Sequence, residues 1–164
     1  MSIFKIINNE DTTISNLQKK LIYITRIDAT ERSYIYGASV SIYNPYVEML
    51  LVKETFSNIT GKAYFHYVLS PEENEENRLD RLYKFGIEVA ELIANFHGHY
   101  QVLMAVHIDT LPRYHIHLIA NNIDYCSGLR LNLDKKKLYE LKNDINEILD
   151  RYNLSRIRQS SPLK

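Results

Sequence analysis

The stretch HIDTLPRYHIHLIANN, residues 107–122, decides both the central fold of the chain and its chemistry. It holds three of the six histidines, namely His107, His115 and His117. His115 and His117 are two positions apart, so on a strand both imidazoles point to one face. The run 101–109 is also typical of a strand, and the TLPR segment is long enough to turn between the two. Pairing them as a hairpin predicts that His107 comes level with the other two histidines.

Three imidazoles that converge on one face of a sheet indicate a metal site. Neutral imidazole is a good ligand for a divalent metal ion. Three protein ligands that leave coordination positions open are typical of a catalytic rather than a structural site. A single strand histidine is more often a core or surface residue, but here three residues on two strands share one register. Asp109 lies two positions from the first histidine and is a candidate to orient a ligand imidazole.

Composition predicts one ordinary globular domain over residues 1–164, with 158–164 as a loose tail. The chain is 45% apolar and 24% charged, and its length is enough to bury about 70% of the unfolded surface. It lacks an apolar run of about 18 residues, which predicts no membrane span and no membrane partner. Residues 1–15 lack a basic start and a long apolar core, so we expect no secretory signal. The single cysteine, Cys126, excludes an internal disulfide and fits a cytoplasmic location.

The charge of the chain is unevenly distributed although its net value is zero. Residues 71–100 carry seven acids and three bases, whereas 130–164 carry nine bases and five acids. Such asymmetry can leave a basic surface for a polyanion, although solvated helix faces have it equally often. The candidate DNA-binding cations are Arg26, Lys135, Lys136, Lys137, Arg156 and Arg158.

Hydrophobic spacing predicts strands and helices that alternate along the chain. Strands are expected at 2–7, 33–42, 63–70, 100–109 and 113–121, with a short last one at 154–159. Helices are expected at 15–24 and 45–56, from Pro71 to about Phe96, and at 134–152. Because the two histidine strands pair as neighbours, we predict an α+β domain with a central, mostly antiparallel sheet. The helices are expected to pack on one face of this sheet and to leave an open cleft on the other.

A metal that acts on a phosphoryl oxygen needs a nucleophile as well. Cys126 has no activating neighbour in the sequence, and neither serine nor aspartate lies in a nucleophile motif. The chain has 13 tyrosines and no tryptophan. A tyrosine can attack a phosphodiester and form a phosphotyrosyl link. Most of the 13 tyrosines are structural, and some can stack on unpaired bases.

In its motifs and their order, the chain resembles the P-type relaxases, the MobA-like mobilisation nucleases of the HUH superfamily. Their histidine motif is matched in full by His107, Asp109, His115, His117 and Asn121. The segment LQKKLIYITR resembles the N-terminal helix that carries the nucleophilic tyrosine of the family. FHYVLSPEE, SGLRL and YNLS also resemble family segments, so the resemblance covers almost the whole chain in order.

The resemblance implies a reaction in plasmid or mobile-element transfer. Mg²⁺ or Mn²⁺ on the three histidines would polarise a phosphate of single-stranded DNA at an origin of transfer. Tyr23 would attack that phosphate, stay linked to the 5′ end and release a 3′-hydroxyl, so that the strand can be rejoined later. Asp109 would orient a ligand histidine or assist the tyrosine proton, and Asn121 would support the site by hydrogen bonding. Relaxosome accessory proteins are further expected partners.

Other interpretations fit part of the pattern. In HUH replication initiators and single-tyrosine transposases the nucleophile follows the histidines on a C-terminal helix, where Tyr139 and Tyr152 lie. A phosphoesterase that uses water would need no tyrosine, and a nuclease-dead accessory protein would only bind DNA. His66 could face the metal cleft, although a core or surface role is commoner for a strand histidine. Most relaxases continue beyond such a domain, so we expect a nuclease core, a small stand-alone enzyme or a truncated one.

Overall fold

A five-stranded antiparallel sheet is the centre of the computed structural model, which describes residues 1–8, 11–72, 78–109 and 113–159. Its strands are β1 (Ile3–Ile6), β2 (Ile35–Ala38), β3 (Tyr64–Ser70), β4 (Val102–His107) and β5 (His115–Asn121). They lie in the order β1-β3-β5-β4-β2, and each neighbouring pair is antiparallel. The histidine hairpin β4–β5 therefore occupies the middle of the sheet, as the alternation of residues 101–121 predicts.

Two long helices cover one face of the sheet. They are α3 (Arg78–Ala94) and α4 (Lys135–Arg151), and their buried apolar residues pack with Tyr67 of β3 and Met104 of β4. Gly86 lets α3 approach closely, because a Cβ there would lie 3.0 Å from the Met104 side chain. This is the larger of the two apolar clusters, and it forms the main core of the domain.

The two shorter helices, α1 (Ile14–Ile24) and α2 (Pro45–Thr55), lie on the other face, which also bears the histidines. The apolar stripe of α1 ends at Ile24, which is fully buried against Leu103 and Ile119 of the sheet. The α+β class and the antiparallel sheet are thus as predicted. The helices, however, pack on both faces and not on one, because the buried residues of α1 and α2 lie against the face that bears the histidines.

Several predicted boundaries shift. The helix expected from Pro71 is described from Arg78 onward, residues 73–77 lie outside the described part of the chain, and Pro71 is not helical. The expected last strand, 154–159, makes only one isolated bridge, between Ser2 and Ile157. Part of the predicted hairpin turn, at 110–112, and most of the predicted tail, at 160–164, lie outside the described residues. Within the described part of the chain, no helix is long and apolar enough to cross a membrane.

Candidate metal and nucleophile site

The hairpin brings the three predicted metal ligands together. His107 pairs directly with His115, and His117 follows two positions later on β5, opposite Ala105. The ring centroids of His107 and His117 lie 4.2 Å apart. One nitrogen from each of the three histidines lies within 4.8 Å of the others, so the group can hold a metal ion. The shared register that the sequence predicts is thus the register of the structure.

Two of these histidines present buried nitrogens that lack a hydrogen-bond partner. His107 is fully buried, and its Nε2 donates to the backbone oxygen of Ile24 at 2.9 Å. His117 is 5% exposed, and its Nδ1 lies 2.8 Å from Nε2 of His66. The remaining nitrogens, Nδ1 of His107 and Nε2 of His117, are buried and unpaired. An unpaired buried polar atom costs about 1–3 kcal/mol, and a bound cation would satisfy both, so the donor set fits a metal ion.

Burial keeps these imidazoles neutral, which is the form that binds metal. Loss of solvent lowers the pKa of His107 to about 4, and the hydrogen bond to Ile24 offsets only part of this effect. Loss of solvent, together with the neighbouring histidines, lowers the pKa of His117 to about 2. A cation therefore need not displace protons from these two ligands near neutral pH.

Tyr23 lies in the last turn of α1, directly beside the histidines. Its ring centroid is 5.9 Å from that of His107 and 5.8 Å from that of His117. The hydrogen bond from His107 to Ile24, the next residue, fastens the end of α1 to the cluster. The Tyr23 side chain is outside the apolar stripe and the residue is 42% exposed, so a DNA strand can approach it. The structure therefore brings the predicted nucleophile and the predicted ligands together.

Arg26 and Asp109 hold the other side of this tyrosine. The Arg26 guanidinium lies 4.3 Å from the centroid of the Tyr23 ring and donates to the Tyr23 backbone oxygen at 2.9 Å. It also donates to the Asp109 carboxylate at 2.8 Å. Asp109 thus contacts Arg26, the cation that flanks Tyr23. Its predicted role, to orient a ligand histidine or to assist the tyrosine proton, stays a prediction.

Asn121 lies on the same face as the histidines but further along β5, under α2. Its side-chain nitrogen donates to Met49 O at 3.2 Å and to Gln101 Oε1 at 3.0 Å. Its side-chain oxygen accepts from the buried ammonium of Lys53 at 2.6 Å. These partners belong to the packing of α2 on the sheet, and the predicted support of the site by Asn121 stays a prediction.

Two residues of this region were missed as site residues at the sequence level. His66 was left open between the cleft and the core, and it is 4% exposed and in contact with the ligand His117. Lys20 lies one helical turn before Tyr23, with its ammonium 5.6 Å from the ring centroid. The i, i+3 spacing of Lys20 and Tyr23 was the available signal. Nothing local in the sequence indicates that His66 lies on a strand next to β5.

The basic residues predicted to contact DNA lie away from the cluster, apart from Arg26. Lys135, Lys136 and Lys137 form the first turn of α4, which packs on the opposite face of the sheet. Arg156 and Arg158 follow that helix, and Arg156 pairs with Asp150 at 3.3 Å. The three lysines at the start of α4 are therefore on the face of the sheet away from the histidines.

The alternative nucleophiles are also on the opposite face. Tyr139 belongs to α4, and Tyr152 follows its last residue. The Tyr152 hydroxyl donates to Glu88 at 2.8 Å, and burial with this bond raises its pKa to about 12. The sheet separates both tyrosines from the histidines, which removes the geometric basis for a replication-initiator mechanism with a C-terminal tyrosine.

Comparison with known proteins agrees with this geometry. Protein rlx of Staphylococcus aureus is 31% identical over 99 residues, which is 60% of this chain and 29% of that protein. The chain thus spans less than a third of the length of this curated relative. A solved structure described as the molecular basis of vancomycin resistance transfer in Staphylococcus aureus shares the fold, with a TM-score of 0.63 at 14% identity. The match covers 98% of this chain and 99% of the chain in that structure.

The family model "Relaxase: MobA/VirD2-like, nuclease domain" matches residues 23–154, beginning at the candidate nucleophile. The resemblance drawn from the histidine motif is thereby confirmed. By this match, the chain belongs to the MobA/VirD2-like relaxase nuclease domains.

Proposed function

We propose that the domain nicks and rejoins one strand of DNA at a specific site, using Tyr23 as the nucleophile and a divalent metal ion as the cofactor. The substrate is single-stranded DNA at an origin of transfer, and the setting is the mobilisation of a plasmid or another mobile element. The observation that carries the proposal is the position of Tyr23, whose ring contacts two histidines with unpaired buried nitrogens.

His107, His115 and His117 would hold Mg²⁺ or Mn²⁺, which supplies a Lewis acid for a phosphoryl oxygen. The chain's own groups then perform the transfer. The Tyr23 oxygen forms a bond to phosphorus while the bond from phosphorus to the 3′ oxygen breaks. The 3′ oxygen leaves and takes up a proton, and the phenolic proton passes to the solvent that reaches the half-exposed ring. The 5′ end stays bound to Tyr23, which keeps the phosphodiester available for rejoining.

Two cations lie beside the proposed nucleophile. Lys20 and Arg26 both flank the ring of Tyr23. Arg26 is held in place by Asp109, so its charge is positioned before DNA arrives. Preorganised charge at the reacting group stabilises a transition state more than mobile charge does. The positive charge of Lys20 and Arg26 beside Tyr23 supports a polyanionic substrate even though the net charge of the chain is zero.

The test compares three tyrosine-to-phenylalanine variants. The protein is incubated with Mn²⁺ and a panel of single-stranded oligonucleotides, and the products are examined on denaturing gels and by mass spectrometry for a DNA–peptide adduct. Tyr23→Phe should bind DNA and Mn²⁺ but form no adduct. Tyr139→Phe and Tyr152→Phe should form the adduct on Tyr23 as the unchanged protein does.

Two outcomes would contradict the proposal. If Tyr23→Phe still forms an adduct and Tyr139→Phe or Tyr152→Phe does not, the nucleophile is on the C-terminal helix. If all three variants cut DNA and no adduct forms with any of them, water is the nucleophile and the domain is a hydrolytic phosphoesterase.

A further inference from the structure

A fourth histidine, His66, stands behind the metal cluster. It lies on β3, pairs with Ile119 of β5 in the sheet, and is 4% exposed. Its ring centroid is 5.1 Å from that of His117, with the rings tilted by 34°. Its Nε2 lies 2.8 Å from Nδ1 of His117, which is hydrogen-bond distance. His66 is not one of the three histidines whose nitrogens converge in the metal cluster.

The direction of this hydrogen bond follows from the chemistry of the site. A ring nitrogen that binds a metal must offer a lone pair, so the other nitrogen of a neutral imidazole carries the proton. The unpaired buried nitrogen of His117 is Nε2, and with a metal bound there Nδ1 is the protonated nitrogen. His117 Nδ1 therefore donates, and His66 Nε2 accepts. Neutral His66 must then carry its own proton on Nδ1.

We propose that His66 is a positioning residue that fixes the ring orientation and the tautomer of His117, so that Nε2 faces the metal. The inference rests on the metal site of the proposed function. The backbone oxygen of Ile24 does the same for His107, because a carbonyl can only accept and thereby places the proton on Nε2. Two ligands are thus set by two different elements, β3 and the end of α1.

The chemistry of the acceptor distinguishes this site. Partners that orient a ligand histidine are usually carboxylates, backbone carbonyls or water. An imidazole in this role is neutral, so it accepts the proton without adding negative charge behind the cation. It also has two tautomers of its own, and only one of them offers Nε2 as an acceptor. A carboxylate at position 66, which has no tautomers and always offers an acceptor, should therefore hold His117 at least as well.

The first measurement uses metal-free protein labelled with ¹⁵N. Long-range ¹H–¹⁵N correlation spectra report which nitrogen of each histidine carries the proton. His117 should have the proton on Nδ1 in the unchanged protein and should become a mixture of tautomers in His66→Leu. His66→Gln and His66→Asp, which retain an acceptor, should restore the Nδ1–H form. This readout needs no DNA, so it stands even if the proposed strand transfer is wrong.

The second measurement is Mn²⁺ affinity by calorimetry. Loss of a partner that orients a ligand typically weakens metal binding about 10–100-fold, and we expect this for His66→Leu. His66→Asp should bind Mn²⁺ at least as tightly as the unchanged protein. His97→Gln is the matched control, because His97 pairs with the exposed Glu140 and should leave the affinity unchanged. If His66→Leu does not fold, the test compares the His117 tautomer and the Mn²⁺ affinity of His66→Gln and His66→Asp with those of the unchanged protein.

Three results would overturn the inference. One is a proton on Nε2 of His117 in the metal-free protein. Another is a His66→Leu variant that keeps both the tautomer and the Mn²⁺ affinity. The third is a Co²⁺ absorption spectrum that shows a coordination number lower by one in His66→Leu, which would make His66 a ligand itself. Failure of the unchanged protein to bind Mn²⁺ would instead refute the metal site of the proposed function.

Discussion

Replacing Lys53 with methionine should destabilise the domain strongly, and it tests what Asn121, the last residue of the histidine motif, does in this fold. Lys53 is 1% exposed. It donates to Ala63 O at 2.6 Å, to Asn121 Oδ1 at 2.6 Å and to Asn122 Oδ1 at 2.9 Å. Methionine has a similar length and shape but no donor. The change therefore removes three hydrogen bonds without opening a large cavity.

The magnitude follows from what each oxygen retains. Asn121 Oδ1 still accepts from the Ile123 backbone at 3.4 Å. Ala63 O and Asn122 Oδ1 lose the hydrogen bond that the Lys53 ammonium donates. Each buried acceptor without a donor costs about 1–3 kcal/mol. Removing a desolvated charge offsets part of this, so we expect a net loss of about 2–3 kcal/mol. For a chain of this size that lowers the melting temperature by about 4–12 °C.

The loss should depend on pH in a defined direction. Burial, with a smaller effect of Arg130, lowers the pKa of Lys53 from 10.5 to about 7 in the folded protein. The unfolded chain then binds more protons than the folded chain between these two pH values, so this group makes stability rise with pH. The difference in the free energy of unfolding between the unchanged protein and Lys53→Met should therefore grow as pH rises from about 7 towards 10.5.

Urea unfolding followed by circular dichroism measures both effects. Lys84→Met, an exposed change on α3, is the matched control and should stay within about 0.5 kcal/mol of the unchanged protein. Combining Lys53→Met with Asn121→Leu should show a coupling of about 0.5–3 kcal/mol, since the two side chains share a bond. If Lys53→Met is as mild as the control, or if Asn121→Leu is fully stable yet forms no DNA adduct, the structural role of Asn121 is refuted.

Three further predictions address the site itself. Asp109→Asn removes the carboxylate that holds Arg26, so it should slow formation of the Tyr23 adduct. The melting temperature should fall by only about 2–4 °C, as expected for loss of about 1 kcal/mol. An unchanged rate of adduct formation would contradict this role. Lys20→Gln should lower the salt slope of DNA binding by about one, whereas neutralising the three lysines at the start of α4 should leave that slope unchanged; the reverse result would place the DNA on the opposite face. Mn²⁺ at 100 times its dissociation constant should stabilise the protein by about 2.7 kcal/mol, seen as a higher melting temperature, and a shift that persists in His117→Ala would mean that the ion binds elsewhere.

The parts of the site that the sequence predicts are those governed by local periodicity. The two-residue repeat of a strand places His115 and His117 on one face, and a hairpin brings His107 level with them. The position of Tyr23 beside the apolar stripe of α1 follows in the same way from the helical repeat. These inferences need only neighbours in sequence or a single turn, so they remain valid whatever the order of the other strands.

The remaining contacts depend on the order of the strands, which the local pattern does not contain. His66 and His117 are 51 residues apart and meet only because β3 lies next to β5. Arg26 and Asp109 are 83 residues apart and meet only because α1 ends over the histidine hairpin. The same packing explains why Asp109 pairs with an arginine. The end of α1 supplies both a carbonyl for His107 and a cation beside Asp109, so one helix end contacts a proposed metal ligand and carries the proposed nucleophile.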